Sequence, residues 1–203
     1  TGFFILSKSL LFKLCRDGGE KMLPNVAVEF DENSIFRSLG KGNLTFREAF
    51  EEIIKFIEAD TNSSYRISIG TDSHVGNGTL FVTCIHVHRI GKGAIGFLHK
   101  SLMSRPIRNL REKIYMETCM SLQLAYLFDE EKIDRIYKAL GKNGKSPTKG
   151  VTFEFHIDIG KRGETKALIN EMVGMVSGLN FIPKIKPDSY CASCFADRYT
   201  KAI

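Results

Sequence analysis

Three carboxylates in this chain occupy positions where a carboxylate is costly or conspicuous. Glu117 falls inside the stripe Leu110, Ile114, Glu117, Ser121, Leu124 and Phe128, which follows steps of three and four along one helical face. A charge in the face that packs on a sheet is unfavourable unless a cation or a hydrogen-bond donor receives it. Asp72 closes an alternating run in which Tyr65, Ile67, Ile69 and Thr71 point one way and Arg66, Ser68, Gly70 and Asp72 the other. Asp158 closes a second such run, with Phe153, Phe155, Ile157 and Ile159 on one face and Thr152, Glu154, His156 and Asp158 on the other. Singly, each has an ordinary use: capping a turn at a strand end, or bonding a backbone amide. Brought together, they are the oxygen-rich donor set that hard divalent cations take.

The elements that must position these acids are legible from about Leu44. Thr45-Phe46-Arg47-Glu48 is a capping box, in which hydroxyl and carboxylate satisfy each other's exposed backbone donors. It predicts a helix carrying Phe50, Ile53, Ile54 and Ile57 on one face and ending in the polar run Asp60 to Ser64. Three strands follow, Tyr65 to Asp72, Leu80 to Arg89 and Ala94 to His99, joined through Gly76-Asn77-Gly78 and Gly91-Lys92-Gly93 as an antiparallel meander. The Glu117 helix over Leu110 to Phe128, a fourth strand over Val151 to Ile159, a helix over Glu164 to Gly178, a strand around Phe181 to Ile185 and a last helix from about Ser189 complete the pattern. A right-handed crossover through the Glu117 helix lays the fourth strand parallel to the first. The expectation is therefore an α/β fold with a mixed five-stranded sheet in the order 3-2-1-4-5, strand 2 antiparallel, flanked by helices and preceded by an extra N-terminal helix. Asp72 and Asp158 would then face one crevice at the switch point between strands 1 and 4, where ligands tend to bind, with Glu117 above them.

This arrangement of a meander, alternating helices and strands, and an acid on strand 1, the first crossover helix and strand 4 resembles the ribonuclease H-like superfamily. Met116-Glu117-Thr118 and Ala196-Asp197-Arg198-Tyr199 look like its second and fourth acidic motifs. More closely, the segments LTFREAFEEIIKFIEAD, RISIGTDSH, HIDIGKRGETKALINEMVGMVSGLNF and IKPDSYCASCFADRYTK are similar to the YkuK family of predicted ribonuclease H-like proteins, from about Leu44 to the end. Where that family suggests glutamine after Thr-Asp-Ser, this chain has His74.

The resemblance implies a metal-dependent nuclease that hydrolyses phosphodiester bonds of RNA, DNA or a hybrid. It implies Mg²⁺ or Mn²⁺, one ion or two, with paired ions about 3.5 to 4 Å apart activating a water and stabilising the leaving oxygen. Asp72, Glu117, Asp158 and Asp197 would be both metal ligands and catalytic groups, with His74 and Asp188 as adjuncts. Asp188, beside Pro187, also suits the N-cap of the last helix. Lys161 and Arg162, just past Asp158, would meet phosphates, as would Arg105, Arg108 and the lysines of the loop Gly141 to Gly150. Two other classes fit the same residues: a nucleic-acid-binding module without turnover, and an interaction protein that uses metal for stability alone. No base-reading motif selects among RNA, DNA and hybrid.

The rest of the sequence bounds these readings. At 203 residues with 43% apolar content the chain suits one sizeable core, read as a domain over 44–203 after an extension over 1–43. A net charge of +6, from 29 basic and 23 acidic residues, permits a polyanionic partner without requiring one. Phe3, Phe4, Ile5, Leu6, Leu10, Leu11 and Phe12 are interrupted by Lys8 and Lys13, which argues against a membrane anchor or a secretory leader. Gly18-Gly19-Glu20-Lys21-Met22 can be encoded by a purine-rich stretch like a bacterial ribosome-binding site, which makes Met22 a candidate start and residues 1–21 a candidate non-native leader. Five scattered cysteines, Cys15, Cys84, Cys119, Cys191 and Cys194, point to a reducing cytoplasmic compartment. Cys191 and Cys194 have the spacing of half a zinc site, with Cys84, His86 and His88 on one strand face as conceivable partners, but small packing residues explain such a pair more simply. Asp158-Ile159-Gly160-Lys161-Arg162-Gly163 faintly resembles a phosphate loop of the actin-like ATPases, an architecture that needs two such domains.

Overall fold

The computed structural model describes residues 29–38, 40–141, 150–160, 168–176, 179 and 181–200, and of residues 192–194 and 197 the backbone alone. The extension ahead of Glu29, the loop lysines between 142 and 149, and Lys161 and Arg162 therefore lie outside the described residues.

Two short strands come first, β1 (Ile35–Ser38) and β2 (Gly42–Thr45). They pair antiparallel from Ile35↔Thr45 to Ser38↔Gly42, and Gly42 takes a φ of 79°, a conformation that costs glycine no steric penalty. Helix α1 (Phe46–Glu58) begins at the capping box: the Glu48 amide donates to Thr45 Oγ1 at 3.2 Å, and the Thr45 amide donates to Glu48 Oε2 at 2.7 Å. Its buried residues, Phe46, Ala49, Phe50, Ile53, Ile54 and Ile57, recur at three- and four-residue steps.

The meander is β3 (Tyr65–Val75), β4 (Thr79–Arg89) and β5 (Gly93–Met103). Its register is unbroken from Tyr65↔Arg89 to Val75↔Thr79 and from Thr79↔Met103 to Arg89↔Gly93. Gly78 is required where the first turn meets β5, because a Cβ there would lie 2.3 Å from the Met103 carbonyl oxygen. Helix α2 (Leu110–Ala125), capped by Asn109 Oδ1 accepting from the Glu112 amide at 3.0 Å, crosses over the sheet. Helix α3 (Glu130–Leu140), β6 (Val151–His156), α4 (Ile169–Val176) and β7 (Ile182–Lys184) follow. A π-helical turn over Cys191–Ala196 then runs directly into α5 (Asp197–Thr200).

The sheet has seven strands in the order β2-β1-β5-β4-β3-β6-β7. Its inner five reproduce the expected 3-2-1-4-5 order, with β4 antiparallel to both neighbours and β3, β6 and β7 mutually parallel. The hairpin β1–β2 extends the sheet by pairing with β5 at Arg37↔Leu98 and Ser38↔Phe97, so the sheet starts ahead of Leu44. Its two strands bury only Phe36 fully, which leaves no alternation for a sequence pattern to register. Helix α3 was also missing from the sequence reading. Asp129 Oδ1 caps it by accepting from the Lys132 amide at 2.9 Å, and Ile133, Ile136 and Leu140 turn toward the core.

Helices cover both faces. One face of β3 and β4, carrying Ile67, Ile69, Phe81, Ile85 and Val87, joins the large core with α1, α2 and α3. The opposite face, through Val82, Cys84 and Leu98, packs on Cys191 and Ala196 of the C-terminal segment. Among the described residues no helix is long and apolar enough to cross a membrane.

Candidate functional site

Asp72 sits at the topological switch of the sheet. β6 pairs with β3 only from Tyr65↔Val151 to Gly70↔His156, whereas β4 follows β3 to its end at Val75. Beyond Gly70 the chain of β3 therefore runs past a vacated edge, and Asp72 lies on that stretch, 5% exposed. Asp158 lies two residues past the end of β6 instead of within a strand. The Ile157 amide donates to the Lys184 carbonyl at 2.9 Å and the Ile159 amide to Ile157, so the ladder gives way to a turn there. Glu117 projects from the middle of α2 and is likewise 5% exposed.

Each carboxylate has a protein partner. Ser73 Oγ donates to Glu117 Oε1 at 2.7 Å, and Lys113 Nζ, one helical turn earlier, stands 3.6 Å from the same oxygen. Thr200 Oγ1 donates to Asp72 Oδ2 at 3.1 Å from the end of α5. Lys186 Nζ lies 2.9 Å from Asp158 Oδ1, reaching in from the turn after β7. On the α2 side the contact is extended by Thr71 Oγ1, which is 2.8 Å from Ser121 Oγ and 3.0 Å from Thr83 Oγ1.

Strand alternation divides the site. Thr71 and Ser73 face α2, whereas Asp72, between them, meets the C-terminal segment on the other face. The acids nevertheless sense one another. Burial pushes the Glu117 carboxyl up to about 8, Lys113 and Ser73 pull it back, and the negative charges of Asp72 and Asp158 push it further up. Among the described residues no group of three or more His, Cys, Asp or Glu side chains is gathered closely enough to hold one ion. The Asp197 backbone opens α5, three residues before Thr200, and its side chain lies outside the description.

The remaining candidates are spread out. His74 is exposed, two residues beyond Asp72, and Asp188 is exposed in the turn after β7, where its amide donates to the Ile185 carbonyl at 2.8 Å. Arg105 is paired with Glu112 and Arg108 is exposed, both in the segment leading into α2. Cys191 meets Cys84, while the Cys194 side chain lies outside the description. His86 packs on Tyr190 and Phe195, each at a ring separation of 5.2 Å.

Sequence reasoning missed Ser73, Lys113, Lys186 and Thr200 as partners of the acids. Lys113 was available, because a lysine four residues before Glu117 shares its helical face. Thr200 had no signal, since its bond to Asp72 spans 128 residues.

A family model described as Ribonuclease H-like matches residues 48–201. The chain belongs to the ribonuclease H-like family. It is also similar to a protein of Bacillus subtilis (strain 168) named "Uncharacterized protein YkuK", with 42% identity over 172 residues that make up 84% of this chain and 99% of the relative. No solved structure matches it. The family assignment agrees with the inner five strands, whose order and directions are those expected of a ribonuclease H-like sheet.

Proposed function

We propose that this ribonuclease H-like chain is a metal-dependent phosphodiester hydrolase acting on RNA, DNA or a hybrid. The observation that carries the reading is Glu117: a carboxyl held buried, raised to about 8, and sensitive to the charges of Asp72 and Asp158. Ser73 and Lys113 meet only one of its two oxygens, Oε1, and a carboxyl raised by burial beside two further acids at a sheet's switch point is the kind of group that functional sites gather. The donor chemistry fits Mg²⁺ or Mn²⁺, since all the ligands would be carboxylate oxygens. Asp72, Glu117 and Asp158, with Asp197 from the adjoining α5, would hold the ion or ions after drawing closer together, since no three of the described acids stand within reach of one ion as folded here. Bound there, the metal would supply an activated water and stabilisation of the leaving oxygen.

The chain's own residues have definite tasks in this scheme. Ser73 orients the Glu117 carboxylate, and Thr200 orients that of Asp72. Lys113 eases the ionisation of Glu117, and Lys186 is the ion-pair partner of Asp158. Lys186, with its side chain 47% exposed, can turn from Asp158 to a phosphate once a metal takes the carboxylate. Lys161 and Arg162 would extend that contact along the backbone of the nucleic acid.

A second reading is a nucleic-acid-binding module without turnover, favoured by the fact that each of the three acids already has a protein partner. Labelled RNA, DNA and hybrid incubated with Mn²⁺ separate the two, using wild type, Asp72→Asn and Asp158→Asn. Hydrolysis that needs metal and disappears in both variants is the expected result. Cleavage unaltered by both substitutions would overturn the site, and salt-sensitive binding of an uncut substrate would support the binding module.

A further inference from the structure

On the sheet face opposite α2, two cysteines far apart in sequence touch. Cys84 on β4 and Cys191 at the start of the π-helical turn are both 0% exposed, and their sulfurs lie 2.6 Å apart across a sequence separation of 107 residues. The pair is seated over β3: Cys84 Sγ donates to the Gly70 carbonyl at 3.3 Å and Cys191 Sγ to the Ser68 carbonyl at 3.4 Å.

Cys191 is held from a second direction. Its amide donates to His156 Nδ1 at 2.7 Å, and the other ring nitrogen of His156 is 3.0 Å from Glu154 Oε2. Nδ1 can accept that bond only if it carries no proton, which agrees with burial lowering the His156 pKa against the opposing pull of Glu154. Phe195 closes the same layer over Gly96, where a Cβ would lie 2.2 Å from the ring. Backbone anchoring on both sides thus places the two thiols face to face.

We propose that Cys84 and Cys191 are a disulfide-forming pair that fastens the C-terminal segment to β4 under oxidising conditions. With hydrogen peroxide as oxidant, one thiolate sulfur attacks the O–O bond, giving a sulfenic acid and releasing hydroxide. The second sulfur displaces the sulfenic oxygen, also as hydroxide, and the S–S bond forms. Two thiols are oxidised, one peroxide is reduced to two waters, and the two thiol protons end in those waters. Burial raises the Cys191 thiol, so the reaction requires transient opening of the segment and is slow in the closed state. In a reducing medium the pair stays as two thiols. Because Thr200 lies at the end of this segment and donates to Asp72, the cross-link also restrains the donor that orients that carboxylate. None of this depends on hydrolytic activity.

The test uses the full chain, oxidised with peroxide near pH 8 in the presence and absence of urea below the unfolding transition. The protein is then unfolded, its remaining thiols are alkylated, and the peptides are mapped. The expected product is one cross-linked peptide joining Cys84 to Cys191, lighter by two hydrogen atoms than the reduced peptides together, with Cys119 still alkylated. The oxidised protein should melt on the order of 5–10 °C above the reduced protein, and dithiothreitol should reverse the rise. Cys84→Ala and Cys191→Ala should each abolish product and rise. Should either variant not fold, the wild-type map decides alone. Alkylation of both Cys84 and Cys191 after oxidation in urea, or a cross-link joining either of them to another cysteine, would overturn the proposal.

Discussion

Replacing Glu117 by glutamine in the metal-free protein probes the site through stability. Glutamine has the shape of the neutral acid and can still accept from Ser73, but it cannot ionise. The wild-type carboxyl is raised from its ordinary 4.5 to about 8, mainly by burial. Its full ionisation in the fold therefore costs roughly 5 kcal/mol relative to the unfolded chain. For a carboxyl raised in this way the native state binds the extra proton, so stability is greatest below about 4.5 and is lost as pH rises through about 8. Near pH 7 the penalty already amounts to about 3 kcal/mol, which Glu117→Gln removes. For a chain of this length that is a rise in Tm of roughly 6–12 °C. The assay is thermal unfolding from pH 5 to pH 9 in EDTA, for wild type and variant. The wild-type curve should fall with pH by more than the variant's, the two diverging toward alkaline pH. Added Mn²⁺ should raise the wild-type Tm and raise the variant's less. Parallel pH curves, or a variant less stable than wild type near pH 7, would show that Glu117 is not held under this strain.

Two further substitutions test the partners of the acids. Lys186→Gln removes the ammonium 2.9 Å from Asp158, and Mn²⁺ binding measured by calorimetry should tighten about tenfold, since a fixed cation no longer competes with the metal. Unchanged or weaker binding would mean that the lysine does not occupy the carboxylate. Thr200→Val removes the donor to buried Asp72 Oδ2 while keeping the shape of the side chain, and urea unfolding should show a loss of about 1–3 kcal/mol. A neutral result would mean that this hydrogen bond contributes nothing to holding the C-terminal segment.

What could be read from the amino-acid order was whatever is written in local periodicity. The alternation of each meander strand, the capping box at Thr45 and Glu48, and the Glu117 stripe are all written in the spacing of near neighbours along the chain. Together with the handedness of crossovers they sufficed for the order of the inner five strands, while the family was legible only through the resemblance of longer segments to known sequences. β1 and β2 escaped because they keep one fully buried residue between them, whereas α3 was legible and overlooked, since Asp129 is an N-cap and Ile133, Ile136 and Leu140 follow it at helical steps. Contact between distant residues escaped as well. That Asp158 lies beyond β6 depends on where pairing with β3 and β7 runs out. That Asp72 faces Thr200 while its neighbour Ser73 faces Glu117 follows from strand alternation only once helices are assigned to each face. The meeting of Cys84 with Cys191 was likewise decided by the packing of the C-terminal segment. Periodicity is a property of neighbours along the chain. The partner of a buried charge is chosen by the whole fold, because the low-dielectric interior makes any nearby donor or cation count, however distant it is in sequence.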